Sequence, residues 1–401
     1  MGFLKKVITD YNEYLKTHNS VETASKFGAI VDGEYYNINS DMFLNYLVDR
    51  IADTVIFGSR FDNPLSKLYN GDMTYGAIIQ DIRTIRGVKG QNYNSKDFNP
   101  DVTNPYEKNK PVLSEAFHKV NFRKYLKTTV THDQLMTAFT SDGAMQGLIS
   151  LIVSDLGMQR YALEYSEMKD TLIGGIAKKV YFTKDNFSSF YNVFKDVMTN
   201  FKDYDASIYY NKVLNPEPAQ VSDLYLIMSE TFKNKADVNF FATLFNVDYA
   251  EIKDQIIYIK DFPDASVKAM VVDKRAVFFK KVLDRRTELI NGADLTKNIW
   301  EHFWRLYSIS PHFGVVAICE ETEGVKKPTV SIDSGVYEGQ QTVTITQGEA
   351  TNVTYTLNYG EETPVTTTAQ VIIPKKSPLS YVSVLTVKYD GGEDVYRYRI
   401  Y

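Results

Sequence analysis

The chain has a single cysteine, Cys319, in 401 residues, so an intrachain disulfide framework is excluded and packing must hold the fold. It has no uninterrupted apolar run of about 18 residues, which leaves no candidate for a membrane-spanning helix. Neither charge is in large excess. Forty-five Lys and Arg face 50 Asp and Glu, a formal net charge of −5, so no global basic field marks a dedicated nucleic-acid binder. Catalytic signatures are missing too. His18, His118, His132, His302 and His312 include no HExxH, no GxSxG elbow occurs, and Gly71 and Gly76 lack the Lys-Ser/Thr of a phosphate-binding loop. The histidines read as capped or surface imidazoles. Cys319 closes the apolar run GVVAIC and reads as a small buried hydrophobe, the alternative being a nucleophile with His312 seven residues before it. Glu320, Glu321 and Glu323 read as a solvated linker edge. No enzymatic activity, cofactor or metal is expected. The start, MGFLKKVITDYNEYLKTHN, breaks its apolar steps with Lys, Asp and Glu, as an amphipathic helix does and a signal peptide does not.

What is present is unevenly distributed. Residues 58–127 hold 12 Lys and Arg against 7 Asp and Glu, a local +5 that leaves −10 for the remainder of the chain. A basic segment on an acidic body suits head-to-tail contact between copies. The segment alternates β-prone runs, Thr54–Phe57 and Tyr75–Ile79, with Gly71, Gly87 and Gly90, and its polar tip at 87–111 has too little apolar surface to fold alone. It reads as a projecting hairpin or an ordinary surface loop. Next, Thr131 and Gln134 form a capping box, and a second helix start follows at Ser141-Asp142-Gly143. Met145, Leu148, Ile149, Ile152, Leu156 and Leu163 have the spacing of one buried helix face, and the pattern reaches Lys169 and as far as Lys179, interrupted at Gly157 and Gly174-Gly175. Segments 185–201 and 221–245 are expected to be helical, while 255–259 and 268–272 are apolar runs of strand length. Residues 298–306, NIWEHFWRL, are dense in aromatics, which serve either as contacts or as core. From Gly324-Val325-Lys326-Lys327-Pro328 onward, short Thr- and Val-rich runs between Gly, Pro and Asp turns predict a small β-sandwich.

Several motifs, in order, carry a resemblance. Val48-Asp49-Arg50-Ile51 followed by Asn63-Pro64-Leu65, then Thr131-His132-Asp133-Gln134-Leu135 with Thr137-Ala138-Phe139, Met270-Val271-Val272-Asp273-Lys274, and Leu306-Tyr307-Ser308-Ile309-Ser310 leading into Val315-Val316-Ala317, are collinear over roughly residues 40–320. In that order they resemble the major capsid protein of short-tailed, phi-twenty-nine-like phages of Gram-positive hosts. The C-terminal stretch, through Ser334-Gly335-Val336-Tyr337, Thr342–Ile345 and Tyr355–Asn358, resembles the Ig-like module of chitobiase-type enzymes and other surface proteins.

The resemblance implies an α+β chain with the Hong Kong 97-type capsid fold. Its parts would be an N-terminal arm and start of the core (1–57), an extended loop (58–127), a peripheral domain with a spine helix (128–183), an axial domain returning to the peripheral domain (184–325) and a C-terminal Ig-like β-sandwich (326–401). It also implies an icosahedral head shell built by self-assembly of pentamers and hexamers around packaged double-stranded DNA, assembled in the host cytoplasm without a membrane. Only about 40 residues precede the matching region, so a separate scaffolding protein is expected, with a portal as a further partner and host-surface glycans as ligands of the terminal module. Lys67, Arg83, Arg86, Trp300 and Trp304 are the candidate intersubunit contacts, the tryptophans at an axial-domain edge. A carbohydrate-binding surface or tail protein is the competing reading, from the terminal module alone. Few contacts should cross the 324–328 hinge, so a chain ended after Glu323 should still fold. The charge asymmetry makes a direct prediction. Reversing Lys67, Arg83 and Arg86 together to Glu should leave the subunit folded but suppress shells in negative-stain images, and raised salt should weaken wild-type assembly, since charges beyond about 10 Å are screened at 0.1 M.

Overall fold

The computed structural model describes residues 10–11, 26–31, 34–39, 63–73, 78–84, 113–131, 133–134, 142–235, 256–291, 296–321, 325–375 and 382–400. The Val48–Ile51 motif, the 54–57 run, the 87–111 tip, Arg86 and 236–245 fall outside these residues, as does most of the amphipathic start. In chain order the elements are β1 (Lys26–Val31), β2 (Glu34–Asn39), β3 (Tyr69–Asp72), β4 (Ile78–Thr84), β5 (Leu113–Lys119), β6 (Phe122–Thr131) and α1 (Asp142–Gly175). There follow β7 (Lys178–Phe182), α2 (Phe187–Lys202), β8 (Leu224–Ser229), α3 (Glu230–Lys235), β9 (Ile256–Ile259), β10 (Val267–Asp273), β11 (Val277–Asn291), β12 (Thr296–Ile309) and β13 (Val315–Glu320). The last are β14 (Thr329–Val330), β15 (Gly335–Tyr337), β16 (Gln341–Thr346), β17 (Thr354–Leu357), β18 (Thr363–Pro364), β19 (Thr368–Ile373), β20 (Val382–Tyr389) and β21 (Gly392–Ile400). Sheets and a few helices thus make an α+β chain, and it divides into two compact units.

The first unit comprises 1–75, 120–168 and 280–307. Its sheet has the order β3-β11-β12-β6, with β12 antiparallel to β6. The capping box forms as expected: Gln134 N donates to Thr131 Oγ1 at 3.2 Å, and Thr131 N donates to Gln134 Oε1 at 3.1 Å. The expected spine is one 34-residue helix running through Gly157 and ending at Gly175, about 50 Å at 1.5 Å per residue. Of its expected buried face, the side chains of Met145, Leu148, Ile149 and Ile152 fall outside the described residues, Leu156 is buried as expected and Leu163 is not. Leu156, Glu164 and Met168 are buried while Leu163 is exposed. Spacing of four carries Leu156 to Arg160, Glu164 and Met168, and two charged residues on that stripe hide it from a hydrophobicity pattern.

The second unit comprises 76–119, 169–279 and 308–401. Its central sheet, β7-β13-β10-β8-β9, is mixed: β13 runs parallel to β7, β8 runs parallel to β9, and β10 is antiparallel to both its neighbours. Helix α2 starts at Asn186, whose side chain caps the Ser189 amide. It lays Phe190, Phe194, Val197, Met198 and Phe201 against Leu224, Leu226, Met228, Val271, Val316 and Ile318. Residues 221–245 do not form the expected single helix. Leu224–Ser229 is a strand and Glu230–Lys235 a short helix. Being interior and buried on both faces, β8 is an unbroken apolar run whose period cannot separate strand from helix. The 255–259 and 268–272 runs are β9 and β10 as expected.

The described residues of 329–400 form two sheets, β14-β16-β19 and β15-β21-β20-β17-β18, closed over Val343, Ile345, Val371, Ile373, Leu385, Val387 and Tyr398. Contacts do cross the hinge, against expectation. Arg397 Nη1 donates to the Ala177 carbonyl at 2.6 Å, and Arg399 Nη1 donates to the Leu214 carbonyl at 2.9 Å. Val325 packs so closely on Gly391, whose φ of +99° already favours glycine, that an added Cβ would lie 2.9 Å away. Nor is Glu320 a free linker edge: it ends β13, 3.2 Å from Lys268 Nζ. Arg397→Ala should therefore lower stability by about 2 kcal/mol, the scale of a buried charge-assisted hydrogen bond, as measured by urea unfolding. An unchanged midpoint would show that the sandwich is merely tethered.

Candidate functional site

The first unit is organised by buried charge. Along β12, residues 299, 303, 305 and 307 point inward, and Arg305 is fully buried among Ile299, Phe303 and Tyr307. Its Nη2 lies 2.8 Å from Glu164 Oε1 on α1 and 2.7 Å from Asp284 Oδ1 on β11. Its Nη1 donates to the Leu283 and Trp304 carbonyls. Arg160, one helical turn before Glu164, reaches Glu164 at 3.2 Å, Asp284 at 3.1 Å and Glu301 on β12. Two cations and three carboxylates therefore join the helix to two strands. Burial works against charge on Arg160, but the carboxylates of Glu164, Asp284 and Glu301 outweigh it and raise its pKa. Tyr69 OH lies 2.6 Å from Tyr307 OH and 3.3 Å from Glu164 Oε2. Burial, then the Glu164 carboxylate, pushes both phenols up, so they remain protonated donors.

The opposite face of that sheet is exposed at Tyr125 and half-buried at its tryptophans. Trp300, His302 and Trp304 alternate with the inward residues and face Lys127, Tyr125 and Arg123 on β6 in register. Lys127 Nζ sits 5.5 Å over the Trp300 ring, and the Arg123 guanidinium sits 4.9 Å over Trp304. Tyr125 is 62% exposed, and His302 is held by Thr287 at 3.0 Å. The two tryptophans thus share a surface, but they belong to the first unit rather than to the edge of the central sheet. Three of the cations counted in 58–127, Arg123, Lys124 and Lys127, lie on β6, so the local basic charge is not confined to a loop.

In the second unit, β4 and β5 pair as an antiparallel hairpin, with Ile78 opposite Lys119 and Thr84 opposite Leu113, and of the expected 75–79 run residues 78–79 lie on it. One hairpin face exposes Ile78, Ile82, Leu113 and Phe117. The other is tied down by buried polar groups. His312 Nδ1 lies 2.8 Å from Asp81 Oδ2, its Nε2 lies 3.0 Å from Ser114 Oγ, and Ser310 Oγ donates to Asp81 at 2.6 Å. His118, also buried, meets Ser308 Oγ at 2.7 Å and stacks on Phe278. Burial alone would raise the pKa of Asp81; hydrogen bonds from Ser310 and His312, with the charges of His312 and Arg83, hold it below the usual value. Burial lowers that of His118. The same side-chain types make a hydrolytic relay elsewhere; here they staple two paired strands to the 310–312 turn.

The other expected contacts are dispersed. Lys67 is exposed in the last turn of a short 3-10 helix, Pro64–Leu68. Arg83 lies 3.7 Å from Asp81 and over the Phe313 ring at 4.5 Å, turned toward its own subunit. Of the expected capped or surface imidazoles, His118 and His312 are buried and hydrogen-bonded, not on the surface. Cys319 is a buried hydrophobe as read, and burial pushes its thiol up to about 11. Reading aromatic density missed Arg305. Its signal was a charge in phase with Ile299, Phe303 and Tyr307 on an alternating strand.

A family profile described as Phi29-like phage major capsid protein matches residues 3–319, ending at the last buried residue of β13, and 320–401 lie beyond it. Over 314 residues the chain is 24% identical to the major capsid protein of Bacillus phage PZA, covering 75% of this chain and 69% of that one. It is 26% identical over 289 residues to the major capsid protein of Bacillus phage B103, covering 69% and 62%. The chain thus spans about two thirds of these relatives. A chain in the solved structure of the head fiber and inner core protein gp22 of native bacteriophage P68 superposes with a TM-score of 0.51 at 13% identity, covering 78% of this chain and 97% of that one. That likeness concerns the fold. Removing one buried charge tests the clamp: Arg305→Met should cost about 3–5 kcal/mol in urea unfolding, and adding Glu164→Leu should recover part of the loss, because a buried carboxylate left with only Arg160 among three acids goes with it. A double variant no better than the single would contradict this.

Proposed function

Because this chain belongs to the Phi29-like phage major capsid protein family, we propose that it tiles a phage head shell through contacts between the exposed apolar hairpin face of one copy and the aromatic sheet face of the next. The observation that carries the family reading is the match over residues 3–319, through both compact units up to the terminal sandwich. In this assignment α1 is the spine of a Hong Kong 97-type peripheral domain, β3-β11-β12-β6 its sheet, β7-β13-β10-β8-β9 the axial sheet, and β4–β5 the base of the extended loop. Residues 326–401 are an Ig-like module added on the outer surface.

The contact rests on exposed apolar side chains of the hairpin and half-exposed aromatics of the sheet. Ile78 and Phe117 are each more than half exposed on paired strands, and Trp300, Trp304 and Tyr125 form an aromatic face rimmed by Arg123 and Lys127. Aromatics with flanking arginine are the side chains that anchor interfaces, and two unlike patches joined head to tail build rings and closed shells. Arg83 is turned toward Asp81 and Phe313 of its own subunit and steadies the hairpin, while Lys67 is exposed. Double-stranded DNA fills the shell and is met without sequence-specific contacts; a scaffolding protein and a portal assist, and assembly takes place in the host cytoplasm. The work is mechanical, with no chemical step. The reading as a glycan-binding surface or tail protein rests on 326–401 and leaves the 3–319 match without a role.

Negative-stain microscopy of the recombinant chain tests the reading, with shells or rings of subunits expected. Trp300→Ser with Trp304→Ser should leave a folded monomer and lower shell yield at least about tenfold, since an anchoring aromatic is worth about 2 kcal/mol or more. Normal shells from the double variant would move the contact elsewhere, and monodisperse wild-type monomers would count against the shell role.

A further inference from the structure

Within the second unit, a cleft of about 860 Å³ opens between the end of α1, the start of β7 and the last strand of the sandwich. Three cations line it without a carboxylate at ion-pair distance among the described residues. Lys212 Nζ donates to the Gly174 carbonyl at 2.6 Å, and Arg397 Nη1 donates to the Ala177 carbonyl at 2.6 Å. Lys178 Nζ sits over Tyr209 at 5.4 Å and Tyr210 at 5.8 Å. Two of the three carboxylates of the cleft are engaged elsewhere. Asp394 accepts from Tyr389, Glu393 acts on Lys179, and only Asp333 acts on Lys178. Lys179 is itself paired with Asp264 at 2.8 Å.

All three cations are held in a setting that disfavours their charge. Burial lowers the pKa of Lys178 and of Arg397, and burial with the nearby Arg397 charge pushes Lys212 down to about 8. Lys178, Lys179, Lys212, Lys327 and Arg397 outnumber Asp333, Glu393 and Asp394 on the cleft wall, and such an excess of partly desolvated positive charge is the complement of an anionic ligand. The cleft also presents rings. Tyr209 is 40% exposed, and Tyr337, whose hydroxyl donates to the Asp333 carbonyl at 2.8 Å, lines the same wall. A flat ring face beside a cationic corner suits a ligand with a sugar ring at one end and a charge at the other.

We propose that this cleft binds a phosphorylated sugar, with the phosphate against Lys178, Lys212 and Arg397 and the sugar ring against Tyr209 and Tyr337. The site joins the family-matched region to the sandwich beyond it, and it stands independently of shell assembly, so failure of one reading leaves the other intact.

Isothermal titration of the full chain with glucose 1-phosphate, inorganic phosphate and glucose tests this. Wild type should bind glucose 1-phosphate with a Kd of about 1 mM or tighter, and each of the other two at least about tenfold more weakly. Lys178→Gln should weaken glucose 1-phosphate about tenfold, and Asp333→Asn should tighten it, a gain that a damaged fold would not give. Absence of saturable binding by wild type, or equal binding by Lys178→Gln verified as folded, overturns the site. Inorganic phosphate binding as tightly as glucose 1-phosphate overturns the sugar assignment.

Discussion

The buried Arg305–Glu164 pair is the constraint on which the first unit depends. An arginine inside an alternating strand has only one acceptable register. A slip of one residue would send Arg305 to the opposite face, bring Trp304 inward and leave Glu164 and Asp284 without their strand cation. The pair therefore sets which β12 side chains meet α1 and which meet solvent. Trp300 and Trp304 reach the surface because Arg305 cannot. Arg160 extends the same network to Glu301, so the helix is fixed to both long strands by charge as well as by packing. A subunit that must repeat one geometry many times gains from such a lock.

Much of the scaffold was legible in the sequence because it is local. The Thr131–Gln134 box, α1, α2, β9, β10 and the change of character after residue 324 all follow from spacing within about a dozen residues. Where local reading failed, long-range pairing decided the outcome. Leu224–Ser229 looks helical until strands lie on both sides of it. Leu163 looks buried until Arg160 and Glu164 find partners on β11 and β12, Glu301 being 141 positions from Arg160. His312 and Asp81 lie 231 positions apart, and no spacing rule connects them. Aromatic density marks Trp300 and Trp304 but says nothing of the strand's partner, and both lie on β12 beside β6 rather than in the central sheet.

The family match ends where the sandwich begins, yet the sandwich is not merely appended. Arg397 and Arg399 donate to carbonyls of the second unit's own backbone, and Val325 closes on Gly391. The chain combines a subunit shared with Phi29-like capsid proteins and a terminal β-module docked onto it. Docking creates the cationic, tyrosine-lined cleft, which neither part would form alone.

A cryo-electron microscopy reconstruction of particles assembled from the full chain tests the central claim most directly. The account predicts a closed shell in which the sheet face bearing Trp300 and Trp304 is covered by the β4–β5 hairpin of another copy. A shell in which that face is open to solvent, with copies joined elsewhere, would contradict it.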